Sequence, residues 1–214
     1  MRLAGDLRTI TNAAPPDDVT DRAADDDVRV LALARADPAA FAPLYERYAQ
    51  HVYYFCYRRL RNRHDAADAT AIVFTRALAA LGSFHPRPGL PGSTFRAWLY
   101  TIARNTLIDH ARSARPHTSL DHPDAPDPID QAPTPEDHAL GAEEARRVDD
   151  LLHHLPERQR AVVELRLAGL RIAEIASALT ITESAAKSLQ VRAYRTLRDL
   201  IDTDPTALTR ERHP

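Results

Sequence analysis

The sequence predicts an all-α protein: two small helical domains joined by a flexible, acidic, Pro-rich linker. Three observations carry this expectation. Apolar residues recur at three- and four-residue steps in both halves of the chain. No alternating polar and apolar run reaches useful strand length. Between the patterned halves, residues 115–144 gather six prolines and eight acidic residues, a composition that denies backbone donors and keeps the chain extended.

Composition narrows the function classes. Two small domains or one large one fit in 214 residues. The single cysteine, Cys56, excludes an intramolecular disulfide framework and a Cys-rich zinc site, and fits a reducing compartment. The polar N-terminus is unlike a signal peptide and no apolar run approaches ~20 residues, so a cytoplasmic protein away from membranes is expected. The net charge of −2 hides a segregation. Residues 1–27 carry −4, 28–114 carry +7, 115–144 carry −7, 145–201 carry +3 and 202–214 carry −1. Two basic modules flanking an acidic connector suit a protein that meets a polyanion locally.

Residues 1–27 have few large apolar side chains and end in Asp25-Asp26-Asp27, which reads as a disordered acidic tail. The first domain then spans 28–114. Asp37 caps a helix with Pro38 at its first position, and Phe41, Leu44, Tyr45, Tyr48, Val52 and Phe55 form its stripe. A second helix runs from about Asp65 to Leu81, with Ala67, Thr70, Ala71, Phe74, Leu78 and Leu81 on one side, and ends at Gly82. Residues 83–93, with three prolines and two glycines, form a loop. The strongest helix of this half follows, from Thr94 to about Arg112, with Phe95, Trp98, Leu99, Ile102 and Ala103 on its apolar face.

Beyond the linker, a second domain is expected over 145–201 and a tail over 202–214. Residues 145–155 are helical, and Pro156 opens a helix that closes at Gly169. The stretch from Leu170 to Lys187 has the form of a helix-turn-helix. Ile172, Ile175, Ala176 and Leu179 make one stripe, and Thr182 can cap the second helix. That helix carries Ser184, Lys187, Ser188, Val191, Arg192 and Arg195, a polar and cationic set suited to a major groove. A helical hairpin with no DNA role has the same pattern.

With both halves in view, the chain resembles the extracytoplasmic-function (ECF) sigma factors, the minimal two-domain sigma subunits of bacterial RNA polymerase. The matching pieces are Ala40-Phe41-Ala42-Pro43-Leu44-Tyr45-Glu46-Arg47-Tyr48, then Asp65-Ala66-Ala67-Asp68 with Phe74-Thr75-Arg76-Ala77. The most specific is Phe95-Arg96-Ala97-Trp98-Leu99-Tyr100-Thr101-Ile102-Ala103-Arg104-Asn105, followed by Asp109 and Arg112. Leu155-Pro156-Glu157-Arg158-Gln159-Arg160 precedes the helix-turn-helix as it does in that family.

The resemblance implies a sigma region 2 bundle over 28–114 and a sigma region 4 domain over 145–201. The implied partners are core RNA polymerase, through its β′ clamp and β flap, and promoter DNA; an anti-sigma factor is a further candidate. Asp65, Asp68, Phe74 and Arg76 match the segment that meets polymerase. Asn105 matches a residue that touches a flipped base of the melted −10 strand, with Arg104 and Arg112 on phosphate. Tyr100, off the predicted apolar stripe, is the stacking candidate; Trp98 reads as core. Thr182, Ser184, Lys187, Ser188, Val191, Arg192 and Arg195 would meet the −35 duplex. The linker's charge suits a cationic channel where nascent RNA would run; a solvated tether is the other reading.

The chain departs from the family at Ala67, where Glu is common, and at Ala71-Ile72, which replace a Gln-acid pair. It departs again at Thr180, where the turn usually holds Gly, and at Leu189, which replaces an Arg. No metal-ligand spacing, Ser-His-Asp grouping or Gly-rich phosphate loop is present, so no catalytic residue, cofactor or metal is expected. The expected function is promoter-directed initiation without covalent chemistry. The rival is a helix-turn-helix regulator that never joins polymerase.

Overall fold

A computed structural model describes residues 17–86, 92–113 and 148–203. The helices are α1 (Asp17–Ala34), α2 (Ala42–Leu60), α3 (Arg63–Ala79), α4 (Phe95–Ser113), α5 (Glu157–Leu167), α6 (Ile172–Leu179) and α7 (Glu183–Thr203). Short 3-10 turns occupy Pro38–Phe41 and Leu81–Ser83, and residues 148–153 are also helical. Among the described residues there is no strand, and no helix is long and apolar enough to cross a membrane. The expected linker over 115–144 lies outside the described residues, as do 1–16 and 204–214.

The chain divides into two compact units, residues 1–120 with 164–186, and 121–163 with 187–214. In the first, α2, α3 and α4 pack around Leu44, Val52, Phe55, Val73, Phe95, Leu99 and Tyr100, all buried. Burying each large apolar side chain is worth about 1.5–3 kcal/mol, which holds the bundle together. Phe41 anchors it, edge-on to Phe74 at 6.4 Å and to Phe95 at 6.1 Å between ring centres.

Local chemistry sets the helix ends. Asp37 accepts the Ala39 N–H at 3.0 Å, with Pro38 at the first position, but the turn it opens is 3-10; α2 starts only at Ala42. Asn62 caps α3 by accepting the His64 and Asp65 N–H groups, so that helix begins two residues before Asp65. It stops at Ala79, and Gly82 lies in the following 3-10 turn.

Three expectations are corrected. Residues 17–27 are not a disordered tail: they belong to α1. The carboxylate of Asp27 is buried, taking hydrogen bonds from Tyr48 and Arg47, both at 2.5 Å. Composition missed this because the stability comes from docking α1 on α2, where Leu31 and Ala34 are also buried.

The buried face of α3 shares Thr70 and Phe74 with the predicted one but is otherwise shifted, and predicted Leu81 is buried in the turn that follows. Ala66, Ala69, Thr70, Val73, Phe74 and Ala77 are buried, while Ala71 and Leu78 are exposed. Small residues let neighbouring helices approach closely, so the Ala-lined face turns inward. On α4 the stripe is shifted likewise. Tyr100 has no exposed surface, and Trp98 is only half-buried, stacked on Phe84 at 4.7 Å.

In the second unit, Leu152, Leu155, Ala161, Val162, Val163, Ala193 and Leu197 are buried. Thr196 Oγ1 donates to Gln159 Oε1 at 3.5 Å across it.

Candidate nucleic-acid interface

The helix-turn-helix is built from α6, a two-hydrogen-bond stop and α7. Thr180 takes a left-handed conformation, φ 55° and ψ 46°, at the family's usual Gly position. Its N–H donates to Ser177 O and the Ile181 N–H to Ala176 O, the paired bonds of a Schellman ending. Thr182 Oγ1 then accepts the Ala185 N–H at 3.2 Å, capping α7. Ile175, Ala176 and Ala178 hold α6 in the core, with Ile172 and Leu179 half-buried.

On α7 the candidate readers Ser184, Lys187, Ser188, Val191, Arg192 and Arg195 are all exposed, as is Thr182. Their spacing of three and four residues places them on one face. Ala186, Ala193 and Leu197 on the opposite face are buried. Val191 is 59% exposed, an apolar side chain of the type that can meet a thymine methyl. Leu189 is half-buried rather than on the exposed set, so its replacement of Arg alters the flank of this surface.

Helix α4 is the second candidate surface. Thr94 Oγ1 accepts the Ala97 N–H at 3.1 Å and starts it. Asn105 and Arg112 are exposed and Arg104 is half-buried, while Ala103 before them and Thr106 and Leu107 after Asn105 are buried. Tyr100 does not join them. Its ring meets Phe55 edge-on at 5.2 Å, and burial raises its phenol pKa above the ordinary value. A base cannot stack on a ring with no exposed face, so the stacking role is withdrawn.

The candidate polymerase-facing residues separate in the same way. Asp68 is exposed on α3, near His64 Nε2 at 3.6 Å, and Asp65 is half-buried. Phe74 points inward, edge-on to Tyr45 at 4.8 Å and to Phe41, so it supports the helix rather than a partner. Arg76 donates to Asp109 at 2.9 Å and Thr106 at 3.2 Å, tying α3 to α4 while remaining partly exposed. Ile72, 43% exposed, stands beside Asp68 and Thr75 on the outer face.

Two buried carboxylates went unnoticed in the sequence. Glu174 of α6 accepts Arg96 Nη2 at 2.5 Å, Thr94 Oγ1 at 2.7 Å and the Arg171 N–H at 2.8 Å. Glu164 of α5 accepts Arg59 Nε at 2.6 Å. Glu174 interrupts an apolar stripe at a buried register, which is the only local signal; its arginine lies 78 residues away.

Among the described residues the fold is helical, and a helix-turn-helix whose second helix exposes Lys187, Arg192 and Arg195 is the form of a DNA-binding transcription protein. Residues 44–117 match the family described as Sigma-70 region 2, and residues 145–197 match Sigma-70, region 4. The chain is similar to ECF RNA polymerase sigma factor BldN of Streptomyces coelicolor, 37% identical over 184 residues, covering 84% of this chain and 68% of that protein. It is also similar to ECF RNA polymerase sigma factor SigL of Mycobacterium tuberculosis strain Erdman, 34% identical, covering 79% and 93%. The solved structure of CnrH in complex with the cytosolic domain of CnrY aligns with TM-score 0.62 and 25% identity, over 82% of this chain and 96% of that one.

The chain belongs to the ECF family of RNA polymerase sigma factors. It binds core RNA polymerase and promoter DNA and directs transcription initiation, a task of recognition rather than covalent chemistry. The rival regulator that never joins polymerase falls with this membership.

Proposed function

We propose a division of this work among named residues. Asn105, with Arg104 and Arg112, captures the melted −10 strand, and Thr182, Ser184, Lys187, Ser188, Val191, Arg192 and Arg195 read the −35 duplex. The outer face of α3, from Asp65 and Asp68 to Arg76, meets the β′ clamp. Residues 28–114 and 145–201 act as the two recognition modules, and 115–144 as the acidic connector.

One observation carries the reading: Asn105 stands exposed on α4 between buried Ala103 and buried Thr106 and Leu107. An amide offers donor and acceptor together, which suits the edge of an extruded base, and nearby guanidinium groups neutralise phosphate. Duplex opening costs a few kcal/mol, and a captured base offsets it.

The protein acts in the cytoplasm, beside core polymerase. CnrH, which shares its fold, is held by the cytosolic domain of CnrY, and a comparable anti-sigma segment is a fitting regulator here. The experiment is co-purification with core polymerase followed by run-off transcription from duplex and pre-melted promoters. Failure of Asn105→Ala to change opening overturns the base contact.

A further inference from the structure

We infer that Tyr53, Tyr54 and Tyr57, with Arg58 and Arg61, form a sequence-tolerant track on which unpaired DNA bases flanking the −10 element stack. The inference rests on Asn105 holding an extruded base, and it lengthens that contact onto a second helix.

The tyrosines lie on the outer face of α2. At roughly 100° per residue Tyr57 stands opposite buried Tyr48, and Tyr53 and Tyr54 flank it. Tyr53 and Tyr57 are stacked, with ring centres 6.2 Å and planes 13° apart, and Tyr54 meets Tyr53 edge-on at 5.6 Å. Tyr54 is 50% exposed, while Tyr53 and Tyr57 are half-buried. The rings that build the core, Tyr48 and Phe55, turn the other way. Apolar ring surface left in water is unfavourable until something covers it.

Charge selects the occupant. Helix α2 carries one acid, Glu46, and its last turn holds Arg58 and Arg59. Exposed Arg61, at φ 55°, closes it. Rings interleaved with guanidinium groups suit a single strand, because each base offers a π-face and each linkage a phosphate. An acidic peptide offers the charge alone.

The track meets Asn105 across one seam. Helices α2 and α4 run the same way, since Tyr48 faces Phe95 at 5.7 Å and Phe55 faces Tyr100 at 5.2 Å. One turn further along lie Arg58 on α2 and Arg104 on α4. Burial raises the Tyr100 pKa, while Arg96 and, more weakly, Arg58 draw it down, which places Arg58 at the seam. Arg104 is half-buried there, and its Nε makes no hydrogen bond among the described residues, so a phosphate is a fitting partner. Asn105 follows on the exposed side. A strand leaving Asn105 therefore crosses Arg104 and Arg58 to reach Tyr54 and Tyr57, and the axes of packed helices are only about 8–10 Å apart.

The test titrates holoenzyme, assembled from core polymerase and each variant, with fluorescent single strands. One is the −10 strand alone, and two others add about eight thymines on its 5′ or its 3′ side. For wild type, one of the two extensions should tighten binding about tenfold. Tyr54→Ala with Tyr57→Ala should lose that gain while binding the unextended strand as before. Tyr54→Phe with Tyr57→Phe should keep it. Arg61→Gln should lower the salt slope of the gain by about 0.7, one phosphate on a single strand. Bromouracil in the favoured extension should cross-link to Tyr54 or Tyr57 on illumination, which a merely structural tyrosine would not do. Circular dichroism establishes folding of each variant. No gain from either extension in wild type, or an equal gain in the folded alanine variant, overturns the track. If Asn105→Ala still weakens the unextended strand in that case, base capture stands without it. A tyrosine-dependent gain in an Asn105→Ala protein that binds the unextended strand like wild type keeps the track and refutes base capture.

Discussion

Tyr48 donates its hydroxyl to the buried carboxylate of Asp27 at 2.5 Å, and Arg47, the preceding residue, donates to the other carboxylate oxygen. This junction docks α1 on α2 and turns the end of an acidic run into part of the core. Burial raises the Asp27 pKa more than its hydrogen bonds and Arg47 lower it, and it raises the Tyr48 pKa too.

The sign of the resulting pH dependence follows from linkage. A carboxyl whose folded pKa is raised stabilises the fold fully below its unfolded value, and that contribution fades as pH rises through the folded value. Asp27→Asn cannot ionise and keeps an acceptor for Tyr48. The stability difference between wild type and Asp27→Asn should therefore shift against wild type as pH increases from about 4, the ordinary Asp range. Urea unfolding of both proteins across pH 4–8 measures it; a difference that does not vary with pH contradicts the raised pKa.

Thr180 has φ 55° in the turn between α6 and α7, a conformation that costs a residue with a Cβ about 1–2 kcal/mol. Thr180→Gly removes that cost but loosens the unfolded chain by roughly 0.5–1 kcal/mol. A net stabilisation of about 0.5–1 kcal/mol is expected. Thermal unfolding should show a higher Tm, and a lower one would mean that Thr180 makes compensating contacts.

Asn105→Ala should leave polymerase binding and closed-complex formation intact while abolishing promoter opening. A template already unpaired across the −10 region should recover part of the activity, since the melting cost is removed. Permanganate reactivity of −10 thymines reports opening; wild-type reactivity in the variant contradicts base capture.

Lys187 and Arg192 are five residues apart, roughly 140° around α7, so they flank its exposed face. Arg192→Ala should cost about 1–3 kcal/mol and relax specificity at one −35 position, as expected for a bidentate base contact. Lys187→Ala should weaken all sites alike and reduce the salt slope by about one counterion. Binding isotherms on mutated −35 duplexes at several salt concentrations separate these outcomes.

The sequence by itself determined the all-α class, the presence and order of the helices from Phe41 onward, the helix-turn-helix and the prominence of Asn105. Those features are written locally, in apolar spacing, in the Asp37 and Thr182 caps, and in the string from Phe95 to Asn105; the Asn62 cap that starts α3 two residues early was read only from the structure. Only the tertiary structure decided which side of each helix faces inward. On α3 and α4 a broad stripe of Ala, Val and aromatic residues leaves the centre of the buried face undetermined. Close helix approach then selects Ala66, Ala69 and Ala77, and the pocket beside Phe55 takes Tyr100 rather than Trp98. The docking of α1 through Asp27 and the Arg96–Glu174 and Arg59–Glu164 pairs were equally out of reach. Each joins residues about 20 to 105 positions apart, and a buried charge is stable only beside a partner that the folded chain alone brings to it.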